Sequence, residues 1–338
     1  MLKNKPICAM YNSLTPDLSG YIKKKLPAVS FQVFSEAINK KNILRRTEIL
    51  GIFVDSKIDK AVFSQMPSLR FIATFSTGFD HIDLKEAQKR GVIVSNVPKY
   101  GEQTVAQHAL ALMLALSRKL FQSVKRVKEG VYDFHGLRGF DMEGKTIGII
   151  GTGNIGIQLI KMLRGFDLRV LAYDVKKNMK AAKEYKFAYT SFEKLLSESD
   201  IISFHAPLLE STYHLIHKQN IKKLKKGVII INTARGGLID PEALLLGLEQ
   251  GKIAGAGLDV LEEEDALRDA ERLIYSEHKD RLIRTSLMNN LLIDHPNTIV
   301  TPHNAFNSHE SVKRILDTSA ENICAFMKGK PQNQVLVS

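Results

Sequence analysis

Long hydrophobic runs and cysteine are both scarce in this chain, and each shortage argues against a class of protein. The longest apolar stretch, ALALMLAL at residues 109–116, is far shorter than the roughly 20 residues that a membrane-spanning helix needs. Residues 1–10 lack the apolar core of a signal peptide, so we expect no membrane partner and a cytoplasmic location. Cys8 and Cys324 lie near opposite ends without metal-ligand or redox spacing, which argues against a disulfide scaffold and a zinc site.

Tryptophan is absent, and this absence bears on the meaning of the positive charge. The formal net charge is +12 at pH 7. The lysines are spread in small groups along the chain, and no aromatic motif of the kind that stacks RNA bases accompanies them. Solvated lysine faces therefore explain the charge better than a nucleic-acid patch does, and we expect no nucleic-acid partner.

The distribution of short apolar runs predicts two α/β domains. At 338 residues the chain exceeds the size at which a single hydrophobic core keeps growing. Buried parallel strands separated by helices are predicted in two series, before and after a long amphipathic helix over residues 102–127. The first series is KPICAMY, VSFQVF, ILGIFV, LRFIATF and GVIVSNV, and the second is residues 145–150, 169–173, 200–204, 227–231, 254–258 and 298–301. A last helix is predicted after residue 305, ended by the glycine and proline of residues 328–331.

Three glycines stand where a predicted strand gives way to a helix, in the stretch IGIIGTGNIGIQ. Gly151 would permit a tight turn, Gly153 would let the backbone approach a pyrophosphate, and Gly156 would let the helix pack against the strand. Asp174, at the end of the next predicted strand, would accept hydrogen bonds from ribose hydroxyls and repel a 2′-phosphate, which favours NAD over NADP. The lysines at 176–177 would suit that phosphate, so use of NADP stays open, as does a role of the glycines in packing alone.

Chargeable side chains follow three later strands, at the edge where open α/β sheets bind ligands. Arg235 follows one strand, Asp259 and the glutamates at 262–264 follow the next, and His303 follows the third. An arginine can hold a carboxylate in a two-point fork, and a histidine kept protonated by a carboxylate can protonate a developing alkoxide. The set therefore suits reduction of a carbonyl beside a carboxylate. Two alternatives stay open, namely that the glutamates form the solvated start of a helix and that His205 is the acid.

These stretches resemble the D-isomer-specific 2-hydroxyacid dehydrogenases. The resemblance rests on GTGNIG, INTARGGLID, GAGLDVLEEE and TPHNA, with support from STGFDHIDL, TVAQHALALMLAL and DIISFHAPLLEST, and it runs from about residue 50 to 328. It implies two Rossmann-like domains with doubly wound parallel sheets, a substrate domain at 1–101 and 304–338 and an NAD-binding domain at 102–303 inserted into it. It further implies catalysis in the cleft between the domains and a homodimer formed through the cofactor domain.

The resemblance also assigns roles to individual residues. Arg235 would bind the substrate carboxylate and carbonyl, His303 would be the acid–base residue, and Glu264 would be the partner of His303. The implied substrate contacts are Ser76, Thr77, Gly78, Tyr100 and Arg235. The implied cofactor contacts are Gly151, Gly153, Asn154, Ile155, Gly156, Asp174, Ala206, Pro207, Thr212, Thr233, Ala234, Arg235 and Asp259.

Within this family the sequence narrows the substrate without fixing it. The long insert at residues 265–297 and Tyr100 resemble the D-lactate dehydrogenase branch, which acts on small 2-oxo acids such as pyruvate. HNAFNS, which begins at His303, departs from the aromatic-rich sequence of that branch, so glyoxylate, hydroxypyruvate or a larger 2-oxo acid stays open. A rival from another class is an NAD-sensing, corepressor-like binding protein, and the intact set of Arg235, Glu264 and His303 favours the enzyme.

Overall fold

The structure, a computed structural model, describes residues 5–11, 16–39, 41–264 and 279–336. These residues form two compact units. The first unit contains the described residues of 1–100 and 308–338, and the second contains those of 101–307. Each unit is built on a parallel sheet with helices, so the predicted α/β fold class is confirmed.

The first unit has a five-stranded sheet with the order β2-β1-β3-β4-β5. With elements numbered in chain order through both units, its strands are β1 (Ile7–Tyr11), β2 (Ser30–Phe34), β3 (Ile49–Ile52), β4 (Phe71–Thr74) and β5 (Ile93–Ser95). Its described helices are α1 (Pro16–Lys25), α2 (Lys60–Gln65), α3 (Leu84–Lys89) and α11 (His309–Met327). Every residue of β3 and β4 is buried, which explains why these strands are continuous apolar runs in the sequence.

The second unit has a seven-stranded sheet with the order β12-β11-β10-β9-β6-β7-β8. Its strands are β6 (Thr146–Ile150), β7 (Arg169–Tyr173), β8 (Ala188–Tyr189), β9 (Ile201–Phe204), β10 (Val228–Asn232), β11 (Ile253–Leu258) and β12 (Thr298–Val300). Its described helices are α4 (Glu102–Ser117), α5 (Leu120–Lys128), α6 (Asn154–Leu163), α7 (Met179–Tyr185), α8 (Phe192–Glu198), α9 (Pro241–Glu249) and α10 (Lys279–Asp294). The six strands predicted for this part of the chain are confirmed to within one residue, whereas the short β8 was not predicted.

The strand order of the second sheet reverses beside β6. From β6 the chain proceeds to β7 and β8 on one side, and it then crosses to β9 and continues outward on the other side. Loops that leave the carboxyl ends of β6 and β9 therefore diverge, and open sheets bind their ligands at such a point. The fold thus places the glycine stretch after β6 at the position where a ligand is expected.

The prediction of a single helix over residues 102–127 is wrong. α4 ends at Ser117, Lys119 takes a left-handed conformation with a φ of 49°, and α5 begins at the next residue. The carbonyl of Ser117 accepts a hydrogen bond from the backbone N–H of Phe140 at 2.9 Å. A continuous helix would instead require that carbonyl to accept from the N–H of Phe121. A partner remote in sequence therefore ends α4.

The predicted C-terminal helix is confirmed as α11, and it belongs to the first unit. The hydroxyl of Tyr21, on α1, donates to the carboxylate of Asp317 on α11 at 2.5 Å. Of the predicted insert at 265–297, residues 265–278 lie outside the described residues, and α10 accounts for most of the rest. Within the described ranges, no helix is long and apolar enough to cross a membrane, and no group of three or more His, Cys, Asp or Glu side chains could hold a metal ion.

Candidate active site

The glycine stretch forms a tight turn between β6 and α6. Gly151 has a φ of +94°, and a Cβ atom there would lie 2.7 Å from the backbone of His205 and Ala206. A Cβ atom at Gly156 would lie 2.1 Å from the carbonyl oxygen of Gly151, so the helix packs directly on the turn. Apart from its chain neighbours, no atom of the described residues lies within 4 Å of a Cβ built at Gly153, and none of their side chains caps α6. The open space and the uncapped helix terminus fit a bound pyrophosphate.

Asp174 follows β7 and lies beside this turn. Its Oδ2 accepts hydrogen bonds from the backbone N–H of Thr152 at 2.6 Å and from the Thr152 hydroxyl at 2.9 Å. Its Oδ1 accepts from the backbone N–H of Lys176 at 2.8 Å. The Thr152 hydroxyl is also 2.8 Å from the hydroxyl of Tyr189. The carboxylate is therefore fixed at the end of β7, where it can accept hydrogen bonds from ribose hydroxyls.

The other predicted cofactor contacts lie in the same unit. The hydroxyl of Thr233 is buried and has no hydrogen-bond partner among the described residues, so it is available to a ligand. Thr212 donates its hydroxyl to the carbonyl of Pro207 at 2.7 Å, and the side-chain amide of Asn154 donates to Glu102 at 2.6 Å. The remaining contacts are Ile155 in α6, Ala206 after β9 and Ala234 after β10. Taken with the glycine turn, the residues present fit a dinucleotide.

His303 follows β12 and contacts Glu264. Its Nδ1 lies 2.6 Å from Oε1 of Glu264, and its backbone has a left-handed φ of 52°. Burial lowers the pKa of His303, but the hydrogen bond and charge of Glu264, with the charge of Asp259, raise it above the ordinary value of a histidine. The positive charge of Arg235 is close enough to oppose this rise in the pKa. The structure thus brings the predicted arginine, glutamate and histidine together.

Asp259 is fully buried and supports the loop that carries His303. Its side-chain oxygens accept hydrogen bonds from the backbone N–H groups of Asn304 and Ala305, both at 2.8 Å, and from the hydroxyl of Thr301. Its own carbonyl accepts from the backbone N–H of His303 at 2.9 Å. The contacts of this predicted cofactor residue are therefore those of a side chain that holds the histidine loop in place.

Asn232 holds the backbone of the loop that carries Arg235, a contact that was not predicted from the sequence. Its side-chain oxygen accepts from the backbone N–H of Ala234 at 3.0 Å, and its side-chain amide donates to the carbonyl of Arg235 at 2.8 Å. The guanidinium of Arg235 in turn donates to the carbonyl of Ala234 at 2.8 Å. An asparagine that ends a strand commonly bonds the backbone two residues on, and this signal was available in INTARG.

His205 lies at the end of β9, and its pKa bears on the choice of acid. Its Nε2 is 2.9 Å from the hydroxyl of Ser203, and its buried Nδ1 has no partner among the described residues. Burial lowers the pKa of His205 to about 4. This histidine is therefore neutral near pH 7, whereas the pKa of His303 is raised, so His205 is the weaker candidate for a proton donor.

Glu262 was also missed, because the run of glutamates at 262–264 fits a solvated helix start. The side chain of Glu262 is instead buried. Its carboxylate accepts hydrogen bonds from Tyr213 and His214, while Glu263 binds Arg281 on the exposed side of the turn. The three glutamates differ only in their contacts with residues far away in the sequence. A single sequence does not show these contacts.

The predicted substrate loop lies in the first unit, after β4. The hydroxyl of Ser76 donates to the carbonyl of Gly78 at 2.6 Å, which closes the loop. The backbone N–H groups of Ser76, Thr77 and Gly78 donate to no other described residue. Tyr100 is half-buried in the same unit, and its carbonyl accepts from Nε of Arg314 at 2.8 Å.

Comparison with known proteins gives consistent matches along the chain. The family model of the D-isomer specific 2-hydroxyacid dehydrogenase, NAD binding domain, matches residues 110–305. A glyoxylate reductase of Korarchaeum cryptofilum is 37% identical over 305 residues, which cover 88% of this chain and 86% of that protein. A D-lactate dehydrogenase of Escherichia coli is 35% identical over 285 residues, 84% of each chain. The crystal structure of D-lactate dehydrogenase from Aquifex aeolicus, complexed with NAD and lactic acid, matches with a TM-score of 0.85 and 34% identity over 96% of each chain.

Proposed function

Because the chain belongs to the NAD-dependent D-isomer-specific 2-hydroxyacid dehydrogenases, we propose that it reduces a small 2-oxo acid to the D-2-hydroxy acid. The observation that carries this proposal is the contact between His303 and Glu264, whose Nδ1 and Oε1 atoms lie 2.6 Å apart. The raised pKa of His303 keeps a proton available near neutral pH. A protein that only senses NAD has no need of such a proton donor beside an arginine.

Each side chain of this group has a defined task in the proposed reaction. Glu264 accepts a hydrogen bond from Nδ1 of His303 and thereby leaves Nε2 to face the substrate oxygen. Nε2–H gives its proton to that oxygen as the carbonyl becomes an alkoxide. Arg235 holds the substrate carboxylate in a two-point fork and polarises the neighbouring carbonyl. Bound NADH supplies the hydride.

We assign NAD to the second unit, and we assign to the first unit the substrate contacts that are made in addition to Arg235. The glycine turn, Asp174 and the unpartnered hydroxyl of Thr233 support the first assignment. The N–H groups of Ser76–Gly78 support the second, because adjacent backbone donors without partners suit a carboxylate. Tyr100 is assigned to the border of the substrate pocket.

For the substrate we propose pyruvate. The likeness to the Escherichia coli D-lactate dehydrogenase, and to the Aquifex aeolicus enzyme complexed with lactic acid, supports this choice. The relative that is named glyoxylate reductase makes glyoxylate the first alternative. Hydroxypyruvate is a second small acid that the sequence leaves open. A larger 2-oxo acid is the next alternative, because HNAFNS, which begins at His303, lacks the aromatic-rich sequence of the D-lactate dehydrogenase branch.

The proposal is tested by following NADH oxidation with glyoxylate, hydroxypyruvate, pyruvate and phenylpyruvate. We expect the highest kcat/KM with pyruvate and a product that chiral chromatography identifies as D-lactate. A higher kcat/KM with another acid would move the assignment to that acid, and an L product would contradict the stereochemistry. If no acid is turned over while NADH still binds, the NAD-sensing role becomes the better explanation.

We further propose that two copies of the chain associate through the second unit. The support is a group of exposed apolar side chains on and after α5, which an unpartnered chain would leave in water. They are Leu120, Phe121, Val124, Val127, Val131, Tyr132 and Phe134. Sedimentation should give a dimer for the native chain and a monomer for Phe121→Glu. A native chain that sediments as a monomer at micromolar concentration would refute the dimer.

A further inference from the structure

Glu262 lies two residues before Glu264 and is bound on three sides. The hydroxyl of Tyr213 donates to its Oε1 at 2.7 Å, and Nε2 of His214 donates to its Oε2 at 2.8 Å. The side-chain amide of Asn289, on α10, donates to the carbonyl oxygen of Glu262 at 2.8 Å. We call Glu262 and these three side chains the Glu262 anchor. Both carboxylate oxygens and the main-chain carbonyl of one residue are thus engaged.

The turn at Glu262–Glu264 holds a conformation that needs such support. Glu263 has a φ of 52°, in the left-handed region that residues with a side chain rarely adopt. On the opposite side, a Cβ atom at Gly236 would lie 2.0 Å from the carbonyl carbon of Leu261. The turn therefore runs directly against the residue that follows Arg235. A shift of this turn would disturb both candidate catalytic side chains.

The hydrogen bond from Tyr213 to Glu262 persists across the neutral pH range. Burial and the hydrogen bond to Glu262 raise the pKa of Tyr213 to about 12, so its hydroxyl remains a donor. Arg281 is the other charged group that faces the contact between Tyr213 and Glu262, and it binds Glu263 at 2.7 Å. A change in activity between pH 6 and pH 9 is therefore not expected to come from Tyr213.

The charged groups that face His303 follow two strands, β10 and β11. Glu264 accepts a hydrogen bond from the ring, Asp259 adds a second negative charge, and Arg235 adds a positive one. His108, on α4, lies 3.5 Å from the carboxylate of Asp259 and is the next titratable group. Among these groups, Glu264 is the one whose position depends on the turn at residues 262–264.

We propose that the Glu262 anchor positions Glu264 against His303. Glu262 is a positioning residue, because it fixes the turn that carries Glu264, and the Glu264 carboxylate holds the imidazolium of His303. The inference rests on the proposed function, in which His303 is the proton donor. Loosening the anchor lets the Glu264 carboxylate move away from His303, so the imidazolium is less stabilised and the pKa of His303 falls. The NAD-binding edge of the sheet is left intact.

The test measures the pKa of His303 in the full chain by nuclear magnetic resonance with isotope-labelled histidine, its signal assigned by His303→Gln. We expect Glu262→Gln to lower that pKa by about half a unit, because a displaced carboxylate stabilises the imidazolium less. Tyr213→Phe should give a smaller shift in the same direction. Tyr21→Phe is the matched control, since it removes a tyrosine–carboxylate hydrogen bond in the first unit and should leave the pKa unchanged.

Kinetics give a second readout that mere destabilisation would not reproduce. At a pH above the pKa of His303, Glu262→Gln should lower kcat/KM for the 2-oxo acid about threefold, which is the loss of protonated histidine for half a unit. Well below that pKa, kcat/KM should match the native value. The KM for NADH should not change at either pH.

Glu264→Gln and the native chain together separate failure of this inference from failure of the proposed function. If Glu264→Gln lowers the pKa of His303 and Glu262→Gln does not, the anchor does not position Glu264 and the inference is overturned. If Glu262 acts through Glu264, its replacement should not lower the pKa of His303 further once Glu264 is replaced. The inference is therefore also overturned if, in the double variant, Glu262→Gln lowers that pKa by its full amount in addition to the effect of Glu264→Gln. If Glu264→Gln itself leaves the pKa unchanged, Glu264 does not set the pKa of His303 and the inference is overturned, whereas the proposed function fails only if the native chain turns over no 2-oxo acid. Should Glu262→Gln not fold, Tyr213→Phe decides by the same criteria.

Discussion

Oε1 of Glu264 lies 2.6 Å from Nδ1 of His303, so one ring nitrogen is committed to the carboxylate. The backbone of His303 has a left-handed φ of 52°, which costs about 1–3 kcal/mol for a residue with a side chain. Asp259 stabilises that backbone through the N–H groups of Asn304 and Ala305. Asp259 therefore fixes the backbone that carries the ring, while Glu264 contacts the ring itself and makes the larger contribution of the two carboxylates to its raised pKa.

Replacing Glu264 should change the pH dependence of 2-oxo acid reduction. The reduction needs protonated His303, so its rate falls as the pH rises through the pKa of His303. Glu264→Gln removes the charge that raises this pKa, and we expect the alkaline limb of kcat/KM to move about one unit toward lower pH. Glu263→Gln is the control, because Glu263 binds Arg281. A limb that stays in place in Glu264→Gln would contradict the role of this carboxylate.

Replacing Arg235 by lysine should separate the contribution of its positive charge to catalysis from the contribution of its planar guanidinium. Arg235→Lys keeps the positive charge but loses the planar fork that holds a carboxylate at two points. We expect kcat/KM for the 2-oxo acid to fall roughly 100-fold, about 3 kcal/mol of transition-state binding, while the Kd for NADH stays within about twofold. Steady-state kinetics and fluorescence titration measure the two quantities. A lysine variant with near-native kcat/KM would show that the fork is not used.

The strands and the cofactor turn were predictable because their signals are local. Ile147–Ile150 and Ile229–Ile231 are continuous apolar runs, and both are buried between helical layers. The glycine turn is equally local, since Gly151 needs its positive φ and Gly156 needs space next to a backbone only five residues away. Periodicity and spacing within about 30 residues contain this information.

The rest depends on contacts between segments far apart in sequence. The end of α4 is set by a hydrogen bond from Phe140, and nothing in the amphipathic pattern of residues 102–127 records it. The burial of Glu262 depends on Tyr213 and His214, about 50 residues earlier, so its composition alone suggests a solvated glutamate. Where the role of a side chain depends on such a distant partner, a single sequence shows the residue but not which partner it contacts.

Asp174 should control the choice between the two nicotinamide cofactors. Asp174→Asn retains an oxygen that can accept from Thr152 and Lys176 but loses the charge that repels a 2′-phosphate. We expect the ratio of the Kd for NADPH to the Kd for NADH to fall about tenfold. Lys176→Gln is the companion variant and should raise that ratio or leave it unchanged. Equal affinities for NADH and NADPH in the native chain would refute the assignment of Asp174.

His205 should make the chain less stable in mild acid. Burial lowers its folded-state pKa to about 4, below the ordinary value of about 6.5. Between these values the unfolded chain binds a proton that the folded chain does not, so this contribution to stability is present above about pH 6.5 and is lost as the pH falls toward 4. From pH 7 to pH 5 the loss is about 2 kcal/mol. His205→Gln, whose amide can still reach Ser203, should flatten the fall of the unfolding free energy measured in denaturant, and parallel falls in the two proteins would show that His205 takes up its proton while folded.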